Sequence, residues 1–350
     1  MTRALLRDVR RVVVKVGSSS LASHDGMVAR LASEILALEG RQVVLVSSGA
    51  IALGYKKLGY KTRPKEMAKL QAAAAAGQSH LMHAYETAFG KEGAVVAQVL
   101  LTHADLADRV RANNAREALA ALLDAGAIPI LNENDSVAVD EIRFGDNDQL
   151  AALVVPLVDA DLLVLLSDVA GVLDGKGARV PVVADAREAA ALVKPSKKGL
   201  GTGGMESKIE AARRATLAGA AAVIADAREE DVLSRIVAGE DVGTLFLPSE
   251  NRLSARRYWI AFTLRPRGDL VLDAGAVRAV RRDNKSVLAV GVLGVRGDFR
   301  AGDSVRVLAP EGDEIARGLA RMPVEDALRV AGRKTTGDNV LVHRDELVVW

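Results

Sequence analysis

The sequence predicts an α/β protein: an open, mainly parallel sheet sandwiched by helices, followed by a small, mostly-β C-terminal domain. Three observations predict it. Short apolar runs alternate with helical patterns over roughly the first 250 of 350 residues, the signature of strands crossing over through helices. Only 3% of the chain is aromatic, so Ala, Val and Leu must fill the core, which suits parallel strands covered on both faces. From Gly268 onward the pattern becomes short β runs between Gly-rich turns.

In chain order, Val12–Val16, Val43–Ser47, Ala94–Leu101, Ile128–Leu131 and Leu162–Leu166 are short, mainly apolar runs and read as buried strands, the first interrupted by Lys15. Val28–Glu39, Glu66–Phe89, Asn113–Asp124, Asp148–Val158 and Met205–Ala218 carry helical patterns, and the apolar run Ala221–Ala225 follows the last of them. Asn251–Trp259 is basic and polar and reads as a connector. Beyond it, Leu270–Leu272, Val287–Val290, Ser304–Val307, Ile315–Leu319 and Val340–Val342 read as strands. The expected division is a first domain over residues 1–255, a linker over 256–267 and a second domain over 268–350.

Composition excludes several classes. The absence of cysteine removes disulfides, thiolate metal sites and a Cys nucleophile. His80 and His83 share a helix face, which reads as a solvated face, and no zinc motif appears. No apolar run approaches the length of a membrane span, and no signal-peptide core follows the basic stretch Arg3 to Arg11, so no membrane partner and a cytoplasmic location are expected. Net charge is +2, with 15 basic and 13 acidic residues over 265–350. Charge alone therefore makes no case for nucleic-acid binding.

Four segments carry candidate chemistry. Lys15–Val16–Gly17–Ser18–Ser19–Ser20 ends a strand with a cation, a glycine and hydroxyls, a form that can hold an anion; taken alone it reads more readily as an edge-strand lysine and a serine-rich turn. Ser47–Ser48–Gly49–Ala50 stands between a strand and a helix, suited to a carboxylate or phosphate, or to plain capping. Asn132–Glu133–Asn134–Asp135 and Gly145–Asp146–Asn147–Asp148 are two carboxylate–amide clusters close in sequence. Gly199–Leu200–Gly201–Thr202–Gly203–Gly204–Met205–Glu206–Ser207–Lys208 puts glycines before a helix and a lysine one turn in, a phosphate cradle in form. It is neither a Walker A motif nor a dinucleotide fingerprint. Lysines, glycine-rich anion sites and acidic clusters together point to phosphoryl transfer from a nucleotide carrying Mg2+. No general base stands out. A carboxylate acceptor would need none, being ionised at neutral pH.

With their order and spacing, Val13–Val14–Lys15–Val16–Gly17–Ser18, Val46–Ser47–Ser48–Gly49–Ala50–Ile51, the two carboxylate–amide clusters and Gly201–Lys208 resemble the amino acid kinase family, and within it the glutamate 5-kinases. Val271–Leu272–Asp273–Ala274–Gly275–Ala276, Gly297–Asp298–Phe299 and Val342–His343–Arg344–Asp345 resemble a PUA domain. The resemblance implies the amino acid kinase fold and ATP-dependent phosphorylation of the side-chain carboxylate of L-glutamate to L-glutamyl 5-phosphate, the first step of proline biosynthesis. It implies that Lys15 and Lys208 meet the transferring phosphoryl group, that Asp148 orients both lysines, and that Lys15 also touches the nucleotide. Ser48, Asp135 and Asn147 would bind glutamate, with Asp146 near its amino group. Ser167, Asp168 and Thr202, Gly203, Gly204, Met205, Glu206, Ser207 and Lys208 would meet ATP. No protein metal site is implied, Mg2+ being expected on the ATP phosphates. Proline as a feedback inhibitor, a homo-oligomer (dimer or tetramer) and a functional link to glutamyl phosphate reductase complete the picture. Kinases acting on acetylglutamate or aspartate are the alternative enzymes; RNA binding by the PUA-like domain is a secondary expectation.

One departure stands out. Glutamate 5-kinases usually continue their Ser/Thr–Asp strand with a Gly–Leu–Tyr–Thr stretch. Here Ser167–Asp168–Val169–Ala170–Gly171–Val172–Leu173 runs into Asp174–Gly175–Lys176–Gly177 without the Tyr–Thr pair. Loss of a ring and a hydroxyl beside the nucleotide predicts weaker discrimination between ATP and GTP.

Overall fold

In the computed structural model, which describes residues 2–23, 26–137, 147–192, 204–333 and 339–350, the apolar runs become strands, buried at the sheet centre, whereas Val96–Leu101, expected as a buried strand, lies at the sheet edge and is mostly half-buried because no strand among the described residues covers its outer side. The chain divides into two units, Met1–Arg252 and Leu253–Trp350. The first holds β1 (Arg11–Val16), β2 (Gln42–Ser47), β3 (Val96–Leu101), β4 (Ile128–Glu133), β5 (Leu162–Ser167), β6 (Val182–Val183), β7 (Ala221–Asp226) and β8 (Thr244–Phe246). They form one sheet in the order β3-β4-β2-β1-β5-β7-β8-β6. Every pairing is parallel except β7 with β8. Val12, Val14, Leu45, Ile130, Leu162 and Val223 are buried at its centre.

Four of the expected helices form with shifted ends, Met27–Leu36, Met67–Gly90, Arg109–Asp124 and Asn147–Leu157, and Met205–Ala218 forms with the expected ones. Asp108 caps the third, accepting from the Val110 and Arg111 backbone N–H groups at 3.0 Å. Gly219, at φ 96°, ends the last in the left-handed conformation. A further helix, Ala50–Lys57, follows β2 directly.

The second unit contains β9 (Gly268–Leu272), β10 (Val287–Leu288), β11 (Val292–Gly297), β12 (Ser304–Leu308), β13 (Glu314–Leu319), β14 (Val340–Val342) and β15 (Leu347–Val349). Five of these form a sheet in the order β11-β9-β12-β13-β15, and β10 pairs with β14. Two helices, Ala274–Asp283 and Val324–Val330, accompany them. Asp273 caps the first of these by accepting from Ala276 N–H at 2.7 Å.

The stretch 256–267, expected as a linker, is largely folded into this second unit. It carries a helix, Ala255–Tyr258, and a π-helical turn, Trp259–Thr263. Phe262 stacks on Trp350 at 6.2 Å, and Arg317 donates to the Ala261 carbonyl at 2.8 Å. The connector reading rests on the basic, polar composition of Asn251–Trp259; Tyr258 within it and Ile260 and Phe262 just beyond it are buried.

Candidate active site

β1 lies between β2 and β5, so successive crossovers leave it in opposite directions, and a crevice opens beyond the strand ends. The register pairs Val16 with Ser47 on one side and with Leu166 on the other, bringing the three ends level. The residues just after them, Gly17–Ser19, Ser48–Gly49 and Ser167–Asp168, line a cleft of 440 Å3 together with Asn132, Asp135, Asn147 and both predicted lysines.

Three charged groups meet at its floor. Asp148 is fully buried in the first turn of the helix Asn147–Leu157, where the helix dipole favours an anion. Its Oδ1 lies 2.5 Å from Lys15 Nζ and its Oδ2 3.1 Å from Lys208 Nζ. Lys15 comes from β1 and Lys208 from the first turns of the helix Met205–Ala218, so two distant elements deliver cations to one carboxylate. The trio carries a net charge of +1, which favours an anion in the cleft. Gly17 stands beside the trio: a Cβ there would make only an ordinary contact, 3.8 Å from Lys15 Nζ.

A neutral network flanks this trio. Asn147 Nδ2 donates to the Ser47 carbonyl at 3.0 Å, to Ser48 Oγ at 2.9 Å and to Asn132 Oδ1 at 2.9 Å. Asn132 Nδ2 donates to Gln78 Oε1 at 2.8 Å, and Asn132 Oδ1 also accepts from the Glu133 backbone N–H at 2.9 Å. Behind them Ser47 Oγ and the Tyr85 hydroxyl share a hydrogen bond of 2.8 Å. Burial pushes the Tyr85 phenol far above its ordinary pKa, so it stays neutral. A smaller chamber of 290 Å3, lined by Gln78, Gln98, Asn134 and Ser136, shares Ala50, Glu133 and Asp135 with the main cleft.

Ser48 and Gly49 are held by a close helix pair. A Cβ on Gly54 would overlap the Ala73 carbonyl, and one on Gly77 would overlap the Ala50 carbonyl. The helices Ala50–Lys57 and Met67–Gly90 therefore touch backbone to backbone. Gly49 itself, at φ 111°, makes the turn into the first of them.

On the opposite flank, Arg228 donates to the Asp168 carbonyl at 2.9 Å while its guanidinium pairs with Asp226 at 2.5 Å. The hydrogen bonds from Arg228 hold the Asp226 carboxyl below its usual pKa. The segment after Asp168 closes on itself: Leu173 bridges Arg179, and Asp174 Oδ1 accepts from the Lys176 and Ala178 backbone at 2.8 and 2.9 Å.

Of the predicted residues, Lys15, Ser48, Asp135, Asn147, Ser167, Asp168 and Lys208 line the cleft, and Asp148 lies beneath it. Gly204 precedes and Met205, Glu206 and Ser207 begin the helix that carries Lys208. Asp146, Thr202 and Gly203 lie outside the described residues. Sequence reasoning missed Tyr55 and Arg63, which also line the cleft, and Gln78. No local motif marks them. Among the described residues no group of three or more His, Asp or Glu side chains is arranged to hold a metal ion. The ammoniums, hydroxyls and amides present suit phosphate and carboxylate oxygens.

Similarity to known proteins agrees with this geometry. The model of the amino acid kinase family matches residues 10–226, and that of the PUA domain matches residues 268–336. The chain is 45% identical to a protein named glutamate 5-kinase from Pseudomonas putida (strain GB-1), covering 99% of this chain and 100% of that one. It is 47% identical to one of the same name from Bordetella petrii, covering 99% and 98%. Among solved structures, N-acetylglutamate synthase from Neisseria gonorrhoeae shares the fold at a TM-score of 0.52, with 17% identity over 71% of this chain and 64% of that one. A central parallel sheet with its cleft at the switch point, and full-length likeness well above the level at which families diverge, place this chain in the amino acid kinase family, with a PUA domain after the kinase domain.

Proposed function

We propose that this protein transfers the γ-phosphoryl group of ATP to the side-chain carboxylate of L-glutamate, giving L-glutamyl 5-phosphate and ADP as the first step of proline biosynthesis. The observation that carries it is the pair of ammoniums fixed 2.5 and 3.1 Å from the two oxygens of one buried carboxylate, Asp148. A glutamate carboxylate, with pKa about 4.3, is already a nucleophile at neutral pH. What the site must overcome is repulsion between two anions. One carboxylate oxygen bonds to the γ-phosphorus as the bond to the β,γ-bridging oxygen breaks and its electron pair leaves with ADP. Lys15 and Lys208 face the charge on the transferring group, and Asp148 keeps both ammoniums in place before reaction. Mg2+ would arrive on the ATP phosphates and neutralise part of their charge.

In this reading Ser48, Asp135 and Asn147 hold glutamate, with Asp146 near its amino group. Ser167, Asp168 and the segment Thr202 to Lys208 meet ATP. The same reading carries feedback inhibition by proline, a homo-oligomeric assembly, a cytoplasmic location and delivery of the unstable acyl phosphate to glutamyl phosphate reductase. The test is hydroxamate formation from ATP and Mg2+ across amino acids. L-glutamate should react, while L-aspartate and N-acetyl-L-glutamate react poorly because the free amino group must be paired at a fixed distance from the phosphate. Equal rates with N-acetyl-L-glutamate overturn the assignment.

A further inference from the structure

The amides beside the cleft form a relay whose direction is fixed independently at two points. The Ser47 carbonyl can only accept, so the Asn147 atom 3.0 Å from it is the amide nitrogen. The Glu133 backbone N–H can only donate, so the Asn132 atom 2.9 Å from it is the amide oxygen. These anchors agree, since Asn147 Nδ2 then donates to Asn132 Oδ1 at 2.9 Å. The Asn132 nitrogen is left to donate to Gln78 Oε1 at 2.8 Å. Gln78 is 9% exposed, and its Nε2 has no hydrogen-bond partner among the described residues. Turning the Gln78 amide over would set two NH2 groups face to face, so its direction is imposed from the Asn147 end. The unsatisfied nitrogen is the cost of that imposed direction.

We propose that Gln78 and Asn132 are positioning residues that set the hydrogen-bonding polarity of the substrate site, an inference that rests on the glutamate reading above. Ser48 Oγ accepts from Asn147 Nδ2 at 2.9 Å, so its own proton is directed away from Asn147, toward the cleft that Ser48 lines. Ser48 is thereby a donor to a carboxylate oxygen. Asn147 Nδ2 serves three acceptors with two protons, and its Oδ1 accepts no hydrogen bond among the described residues, so Asn147 offers an acceptor to an ammonium. The opposite orientation would turn an NH2 group toward the ammonium and lone pairs toward the carboxylate. An α-amino acid needs one donor and one acceptor in this arrangement. Glutarate, which lacks the amino group, has no use for the acceptor. The relay is therefore a device for selecting the amino acid.

The test compares L-glutamate with glutarate in the full-length enzyme, by ATP- and Mg2+-dependent hydroxamate formation. Gln78→Met keeps the side-chain length and removes the acceptor, freeing the Asn132 amide to turn. It should raise the KM for glutamate about tenfold while kcat and the KM for ATP stay within about twofold, as for loss of a ground-state contact. The ratio of kcat/KM for glutamate to that for glutarate should narrow by about tenfold. Gln78→Glu, which still presents an oxygen to Asn132, should restore most of both. If Gln78→Met fails to melt cooperatively, Asn132→Asp and Asn132→Ala replace it: the carboxylate still accepts from Asn147 and Glu133, so Asn132→Asp should keep more discrimination than Asn132→Ala. An unchanged ratio in Gln78→Met, or equal impairment of both substrates in Gln78→Met and Gln78→Glu, overturns the relay alone. A wild type inactive on L-glutamate overturns the parent reading and the relay with it.

Discussion

Two regions of the cleft meet a charged substrate with different physics. On one, Lys15, Asp148 and Lys208 gather three formal charges. On the other, Ser48, Asn147, Asn132 and Gln78 are neutral and linked end to end. A charge acts over several ångströms and is tolerant of orientation, so it suits a phosphoryl group whose charge shifts during reaction. A neutral amide acts only at contact, and its sign depends on which end faces the ligand. Labour is divided accordingly: ions supply rate, and oriented dipoles supply selectivity.

The largest effect should come from breaking the ionic flank. Lys15→Ala and Lys208→Ala should each lower kcat by about 10²–10³ with little change in the KM for glutamate, as expected for contacts that strengthen in the transition state. Each variant still leaves Asp148 one lysine, so the fold should survive, and a melting curve checks this. A raised KM with unchanged kcat would mean that the lysine binds ground state and would erase the contrast between the flanks.

The neutral flank is vulnerable through its support. Gly77→Ala places a methyl against the Ala50 carbonyl, and overpacking of this kind costs about 1–3 kcal/mol. Thermal unfolding should move down by several degrees, and glutamate binding should weaken before ATP binding, because the displaced helix carries Ser48 and Gly49 at its start. Equal weakening of both ligands would show that the helix pair supports the whole cleft.

A subtler effect concerns the nucleotide. The turn after Leu173 is closed by its own Asp174 hydrogen bonds and brings neither an aromatic ring nor a hydroxyl. GTP should therefore be used at a kcat/KM within about tenfold of ATP, and a variant given a Tyr–Thr pair in this segment should widen the gap. If the wild type already rejects GTP as firmly as that variant, base recognition lies elsewhere.

The smallest effect is a pH dependence. The Asp226 carboxyl, held below its usual pKa chiefly by hydrogen bonds from Arg228, adds stability that is present above the unfolded carboxylate range and is lost as pH falls through the folded value. Asp226→Asn should flatten that part of the acid limb of a stability–pH profile and leave stability less changed at low pH than at neutrality. The same slope in wild type and variant would remove Asp226 from the acid response.

By itself the sequence determined the alternation of strand and helix. Val12–Val16, Val43–Ser47 and Leu162–Leu166 are dominated by Val and Leu on both faces, which suits strands between two covering layers, and all three lie at the sheet centre. It also determined the family, because several weak motifs in one order are jointly specific. The short strands escaped it: Val182–Val183 has only two residues, and Thr244–Phe246 turns antiparallel in a parallel sheet. Such segments become strands only when a neighbour supplies partners for their backbone groups. The helix Ala274–Asp283 escaped it for a different reason: it is short and has a single fully buried side chain, Val280, among arginines. The resemblance already implied that Asp148 serves both Lys15 and Lys208; tertiary structure alone decided the distances between them, that Gly54 and Gly77 let two helices touch, and that Gln78 stands behind Asn132. Distances between residues far apart in the chain are set by how the layers pack, and the direction of each amide is set by partners that no local window contains.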